Sequence, residues 1–279
     1  MRWEGTMSMR YGGSLSHDIE WDTASESAKF KAEFESLNLE SVASIQGPAS
    51  IGGAASGRVS GEWDPSQGLR GTGEARLSSV IVNGEPIGNG SLALQMSGPE
   101  VLGTAMVGST DRFLEIDSFT INAETLTYRG TGAAFNVSLQ KLLATATRRA
   151  GLDIETQSLL QDLNGSITGE AVFSGEGADW QVNEGDLVFE GLTFRGSNAG
   201  SVTVKGSKAG PMWSVDSLTW DSPEGSLTAS GLFDEKGAEK LEATVTNLSL
   251  SWIHRVFPNL PLVNGRASVS ATGSGPWES

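Results

Sequence analysis

Residues 114–121 read Leu-Glu-Ile-Asp-Ser-Phe-Thr-Ile. Leu114 and Ile116 are two apart, as are Phe119 and Ile121, and Asp117-Ser118 separates the pairs. Each half has the period of a strand with one buried face. Plain alternation would turn the second half to the opposite face. A β-bulge at the spacer keeps all four residues on one face and bends the strand. The pattern recurs at Ala32/Phe34–Leu37/Leu39, Ala75/Leu77–Val80/Val82, Leu187/Phe189–Leu192/Phe194, Trp213/Val215–Leu218/Trp220 and Ala243/Val245–Leu248/Leu250. Its spacers are Glu35-Ser36, Ser78-Ser79, Glu190-Gly191, Asp216-Ser217 and Thr246-Asn247. Six bulged strands predict a curved sheet with an apolar inner wall. Such a wall suits holding something greasy better than it suits catalysis.

Composition narrows the partners. The chain has 279 residues, 36 of them Gly, with a net charge of −15. So acidic a chain repels phosphate backbones, which argues against nucleic acid as a partner. Direct binding to an anionic bilayer surface is equally disfavoured. There is no Cys, hence no disulfide, thiolate metal site or thiol nucleophile. No run of 18 apolar residues could span a membrane as a helix. Met1 to Gly5 lacks the apolar core of a signal peptide. The chain therefore reads either as a cytoplasmic protein or as a piece of a longer exported one.

The second half restates the first. Residues 163–180, LNGSITGEAVFSGEGADW, are echoed by 263–277, VNGRASVSATGSGPW. Asp117-Ser118-Phe119-Thr120 recurs as Asp216-Ser217-Leu218-Thr219. A drifting period of about 100 residues marks a modular array. The expected modules are 1–63, 64–165 and 166–265, with a further one starting at 266–279. Each holds several strands, a short helix and more strands. In the middle copy, Leu139, Leu142, Leu143 and Ala146 share a helical face, with Ser138 as N-cap and Gly151 as stop. Residues 156–165 add a turn or two. Residues 251–257 repeat the helix, and near 41–46 it is almost absent. Both ends read as cut: Met1 to Arg10 already alternate, and the repeat predicts another strand after Gly275.

No motif points to an enzyme, a metal or a cofactor. The Gly-x-Gly pairs at 71/73, 88/90, 130/132, 175/177 and 273/275 are followed by strands, so they read as turns or bulges rather than phosphate loops. Asp117 and Asp216 recur at equivalent places, which suits holding the bulge amides better than acid–base work. His17 and His254 are the only imidazoles and stand apart in sequence. The 8 Trp are read chiefly as core. Lys141, Arg148 and Arg149 fit the C-terminal end of a helix, with an anionic headgroup as the functional alternative.

Three stretches carry a family resemblance: FLEIDSFTINAETLTYRGTG at 113–132, FNVSLQKLL with LLQDLNGSITGEAVFSGEG across 135–177, and ATVTNLSLSWIHRVFPNLPLVNGRASVSATGSG at 243–275. They resemble the AsmA/TamB-like superfamily of bacterial envelope proteins. The resemblance implies an elongated, twisted antiparallel sheet curved into an open groove. It implies a periplasmic segment that shields phospholipid acyl chains between inner and outer membranes, or supports outer-membrane assembly. Its partners would be acyl chains, flanking repeats of the full-length chain and outer-membrane assembly proteins. The family's N-terminal anchor and C-terminal domain have no counterpart in this sequence. The expected lining is Leu77, Val80, Leu114, Ile116, Phe119, Ile121, Leu187, Phe189, Leu192, Phe194, Trp213, Val215, Leu218, Trp220, Val245, Leu248 and Leu250. The alternative is a structural or adhesive β-repeat protein of the envelope. A non-repeating acid pair would instead mark a carbohydrate-active enzyme.

Overall fold

A computed structural model of the chain describes residues 1–8, 13–42, 51–82, 84–109, 111–140, 162–177, 179–234, 236–256 and 261–276. The first eight strands are β1 Arg2–Ser8, β2 Ser14–Asp22, β3 Ser27–Asn38, β4 Ile51–Asp64, β5 Gly68–Val82, β6 Glu85–Ser97, β7 Glu100–Ser109 and β8 Arg112–Asn122. The rest are β9 Thr127–Ser138, β10 Leu163–Glu176, β11 Asp179–Phe194, β12 Ser197–Ala209, β13 Met212–Ser222, β14 Gly225–Phe233, β15 Gly237–Ser249 and β16 Arg266–Pro276. Helices α1, Leu39–Val42, and α2, Leu250–Val256, interrupt them. The strands form one sheet in chain order, β1 to β16, not closed into a barrel. The fold is thus all-β and antiparallel, as the alternation predicts. The chain divides into two units, Met1–Ala133 with Ser174–Asp179, and Ala134–Phe173 with Trp180–Ser279.

Register separates two unlike faces in each unit. In the first unit one row runs Trp3, Ile19, Phe30, Gly61, Gly71, Met96, Val101, Ile121 across eight strands. The adjacent row, on the other face, runs Arg2, Glu20, Lys29, Glu62, Arg70, Ser97, Glu100, Asn122. Its first five charges alternate in sign, so every directly opposed pair there is attractive. In the second unit the apolar row Phe189, Val202, Trp220, Leu227, Val245, Val269 lies beside a hydroxyl row, Thr203, Thr219, Thr228, Thr244, Ser270. A one-residue slip would swap the faces, so the pattern fixes register.

All six spacers are bulges. Two residues oppose one between Phe34 and Leu37, Leu77 and Val80, Phe189 and Leu192, Val215 and Leu218, and Val245 and Leu248. The same count holds between Ile116 and Phe119 against Gly103 and Ala105. Leu114, Ile116, Phe119 and Ile121 therefore share one face, and so do Trp213, Val215, Leu218 and Trp220. Ser36, Ser79, Gly191 and Asn247 take φ of 54°, 51°, 58° and 55°, whereas neither residue of the two Asp-Ser spacers has positive φ. A freed amide at three of these turned residues finds a side chain on the next strand. Ser36 N donates to Ser56 Oγ (2.9 Å), Ser79 N to Asn89 Oδ1 (3.0 Å) and Asn247 N to Ser268 Oγ (3.0 Å). The spacer aspartates were expected to hold these amides. Asp216 instead accepts from its own strand's Ser214 hydroxyl (3.1 Å). A seventh bulge-like site, unread in the sequence, has Asn136 at φ 51° with its amide on Thr168 Oγ1 (3.1 Å).

Three of these sites lead straight into helix. Leu39, Leu139 and Leu250 each follow a left-handed residue by three positions and begin a helical stretch. Asn38 Oδ1 accepts from Glu40 N (2.9 Å) and Ser249 Oγ from Trp252 N (3.4 Å), both serving as N-caps. One repeat is thus six strands and one helical element, from β3 to β9 to β15. The helix expected over 138–150 lies outside the described residues beyond Gln140, as do Lys141, Arg148 and Arg149; of the turns expected over 156–165, residues 156–161 lie outside them, and Leu163 to Gly165 already belong to strand β10. Gly71/Gly73, Gly130/Gly132 and Gly273/Gly275 lie inside strands rather than in turns.

Ser79 is exposed and held in the left-handed region, where a β-branched side chain costs about 1–2 kcal/mol. Ser79→Val should lower stability by about that amount and Ser79→Gly should raise it slightly, read as urea midpoints. At the turns, the Ser66 hydroxyl and amide hold the Asp64 carboxyl below its ordinary 3.8, and the Ala24 amide does the same for Asp22. A carboxylate with a depressed pKa stabilises above its unfolded value and loses that support as pH falls. Amide exchange in the β2–β3 and β4–β5 turns should therefore quicken below about pH 4, relative to the β6–β7 turn.

Candidate functional site

The feature that singles this protein out is a sheet face left apolar with no second layer over most of its described residues. Trp3 (47 % exposed), Met7 (50 %) and Ile121 (40 %) lie on it in the first unit, and Trp213 (40 %) and Val269 (58 %) in the second. Among the described residues Val137 is the one large side chain buried completely. A two-layer sandwich would bury a whole row from each strand. An exposed apolar surface of this extent marks a site for a partner or ligand.

Glycines form part of the floor. A Cβ at Gly61 would stand 2.8 Å from Phe30 Cζ, because the Phe30 ring lies across it. The Phe119 ring crosses Gly103 in the same way. Rings laid over glycines keep the face smooth and leave the aromatic surfaces open.

The expected lining residues mostly come together on these faces. Leu77, Val80, Leu114, Ile116, Phe119 and Ile121 occupy apolar rows of the first unit. Leu187, Phe189, Leu192, Phe194, Trp213, Val215, Leu218, Trp220, Val245 and Leu248 do so in the second. Leu250 does not: it opens α2 instead of ending β15, and its amide donates to Gly265 O (3.0 Å). The Ser249 cap turns the chain out of the sheet one residue earlier than the spacing suggests. Leu192 is also less available, since it is buried with Leu139 and Ala199 beneath Phe189, Phe194 and Trp252.

α2 covers the end of the face in the second unit. Trp252 packs on Trp220 with ring centroids 5.4 Å apart, and Trp220 Nε1 donates to Ala199 O. Arg255 pairs with Glu224 at 2.7 Å, tying the helix to the β13–β14 turn. His254 sits on this helix, whereas His17 lies on the apolar face of the first unit with its ring against Gly5. The two imidazoles belong to different units, and among the described residues no His, Asp and Glu cluster could hold a metal ion.

The polar face of the first unit carries an open recess of about 810 Å³, lined in part by Lys29, Lys31, Glu62 and Arg70. Its walls are the alternating charges described above. The expected lining left out Ile19, Phe30, Met96 and Val101 of the first apolar row, Val202, Leu227 and Val269 of the second, and one cation on that face. Lys208 continues the parity of Val202, Val204 and Gly206, so counting along β12 would have found it.

No family model matches the chain, and neither a curated protein nor a solved structure matches it.

Among the described residues, Trp252 Nε1 is buried without a hydrogen-bond partner, so the indole contributes packing alone. Trp252→Ala should lower stability by about 3 kcal/mol. Trp252→Phe, which keeps the ring contact and removes the unsatisfied donor, should cost less than about 1.5 kcal/mol. Chemical denaturation of the two variants beside wild type checks this.

Proposed function

We propose that this chain is a segment of a periplasmic, lipid-conducting β-groove. Its apolar face would shield acyl chains while phospholipid passes between inner and outer membranes, or while the outer membrane is assembled. The observation that carries the reading is the unbroken apolar row on one face of every paired strand, set against charged and hydroxyl rows on the other. The family resemblance supports it, and flanking repeats of a longer chain and outer-membrane assembly proteins are its natural partners.

The energetics favour a chain-like ligand. Burying a methylene is worth about 0.8 kcal/mol, so an acyl chain of about sixteen carbons recovers on the order of 10 kcal/mol before ordering costs. Because the rows repeat from strand to strand, neighbouring positions are near-equivalent, and a chain moving along them meets no deep trap. Such a surface conducts better than it stores. It needs no catalytic residue, and we assign none.

Phe119 and Leu218 test the reading, one in each unit. Phe119 faces Gly103, and Leu218 lies between Val204 and Ala229. An aspartate at either place sets a charge against the chain path, at a cost of several kcal/mol in an apolar complex. Phe119→Asp and Leu218→Asp should reduce co-purifying phospholipid by tenfold or more in native mass spectrometry, with circular dichroism still β. Wild-type protein that carries no lipid and takes up no fluorescent acyl probe would leave the structural or adhesive repeat as the better account.

A further inference from the structure

In the paired positions of β11 to β16, the apolar face of the second unit holds a single charged residue, Lys208, between Val182 and Trp213. It differs from six other cations of this acidic chain, which meet carboxylates directly. Arg2, Arg58, Arg195, Lys205, Lys240 and Arg255 each meet a carboxylate within 3.1 Å. Among the described residues Lys208 makes no ion pair.

What surrounds Lys208 is neutral and aromatic. Its Nζ lies 4.1 Å from the centre of the Trp180 ring and 5.8 Å from that of Trp213. The two rings stand edge to face, 6.3 Å apart. The ammonium donates to Gly210 O (2.8 Å) and Trp180 O (3.2 Å). An ammonium has three N–H groups, so one remains for a ligand. Carbonyls and indole faces orient the cation without neutralising it. Trp180 and Trp213 are each 40 % exposed, so the place is open.

We propose that Lys208, Trp180 and Trp213 form a headgroup site for an anionic acyl amphiphile. A carboxylate or phosphate oxygen accepts the third N–H of Lys208, and the acyl chain runs from Trp213 along Val215 and Leu218. The inference rests on the acyl-binding reading above and adds to it a fixed starting point for the chain.

The test uses the full chain and three probes that share one acyl chain: oleate, oleoyl lysophosphatidic acid and uncharged monoolein. Affinities are measured below micelle-forming concentrations. A charge-assisted hydrogen bond to an anion should make oleate, the lysophosphatidic acid or both bind about tenfold tighter than monoolein. Preference for only one of the two identifies carboxylate or phosphate as the headgroup. Lys208→Met should bring the anions down to the affinity of monoolein and leave monoolein unchanged, while Lys208→Arg keeps the preference. Persistence of the preference in Lys208→Met overturns the site. Equal binding of all three probes by wild type also overturns it, while sparing the acyl-binding face. Failure of wild type to bind any probe overturns both.

Discussion

One extra residue in each of β3, β5, β8, β9, β11, β13 and β15 governs this structure. Without the bulge, each of these strands would carry half of its apolar residues to either face, and both faces would be mixed. With it, Leu77 and Val80, or Val245 and Leu248, stay on the same side of the sheet. The cost is a residue in a conformation that L-amino acids avoid, as at Ser36, Ser79, Asn136 and Asn247. Side chains on the following strand offset that cost by taking the displaced amide. Gly53 shows how tightly the preceding strand must approach: a Cβ there would stand 2.8 Å from Ser78 O. Bulge, hydroxyl or amide acceptor, and neighbouring glycine form one device, and it recurs along the chain.

A sheet one layer thick cannot rely on a buried core for register. The outer rows take over that task. In the first unit, Arg2, Glu20, Lys29, Glu62 and Arg70 alternate in sign, so a one-residue slip would break every attractive pair and carry the charges onto the apolar face. In the second unit, Thr203, Thr219, Thr228 and Thr244 offer β-branched side chains suited to a half-exposed pleat. Each exposed ion pair adds little stability by itself. Their collective effect is specificity, and it leaves the opposite face free to be uniformly apolar.

Helices enter at fixed points of the repeat, three residues after Ser36, Asn136 and Asn247. The left-handed residue turns the strand, and two residues later the chain finds a polar cap, Asn38 or Ser249. In α2 the result is a tryptophan laid over Trp220, which closes one end of the apolar surface in that unit. Lys208, with Trp180 and Trp213, gives the surface a polar feature near the β12–β13 turn. A long apolar strip with one cap and one cation has direction, which a uniform strip lacks.

Much of this was legible in the amino-acid order because strand periodicity is local. Alternation at 114–116 and 119–121, with two residues between, sufficed to predict a bulge at Asp117-Ser118, and the same count worked at all six spacers. It failed where the pattern depends on contacts outside the strand. The site at Phe135-Asn136 was hidden because Gly132 occupies an apolar position and Phe135 a spacer position. Leu250 was read as strand because nothing in its spacing reveals that the Ser249 hydroxyl will cap a helix. Sequence alone determined the β class, the six spacer bulges and which residues are apolar. Tertiary structure alone decided which acceptor holds each bulge amide, how Trp252 meets Trp220 and why Lys208 stands among indoles without a carboxylate. Those outcomes depend on which strands pair and in what register, and that is set by the whole sheet rather than by any one segment.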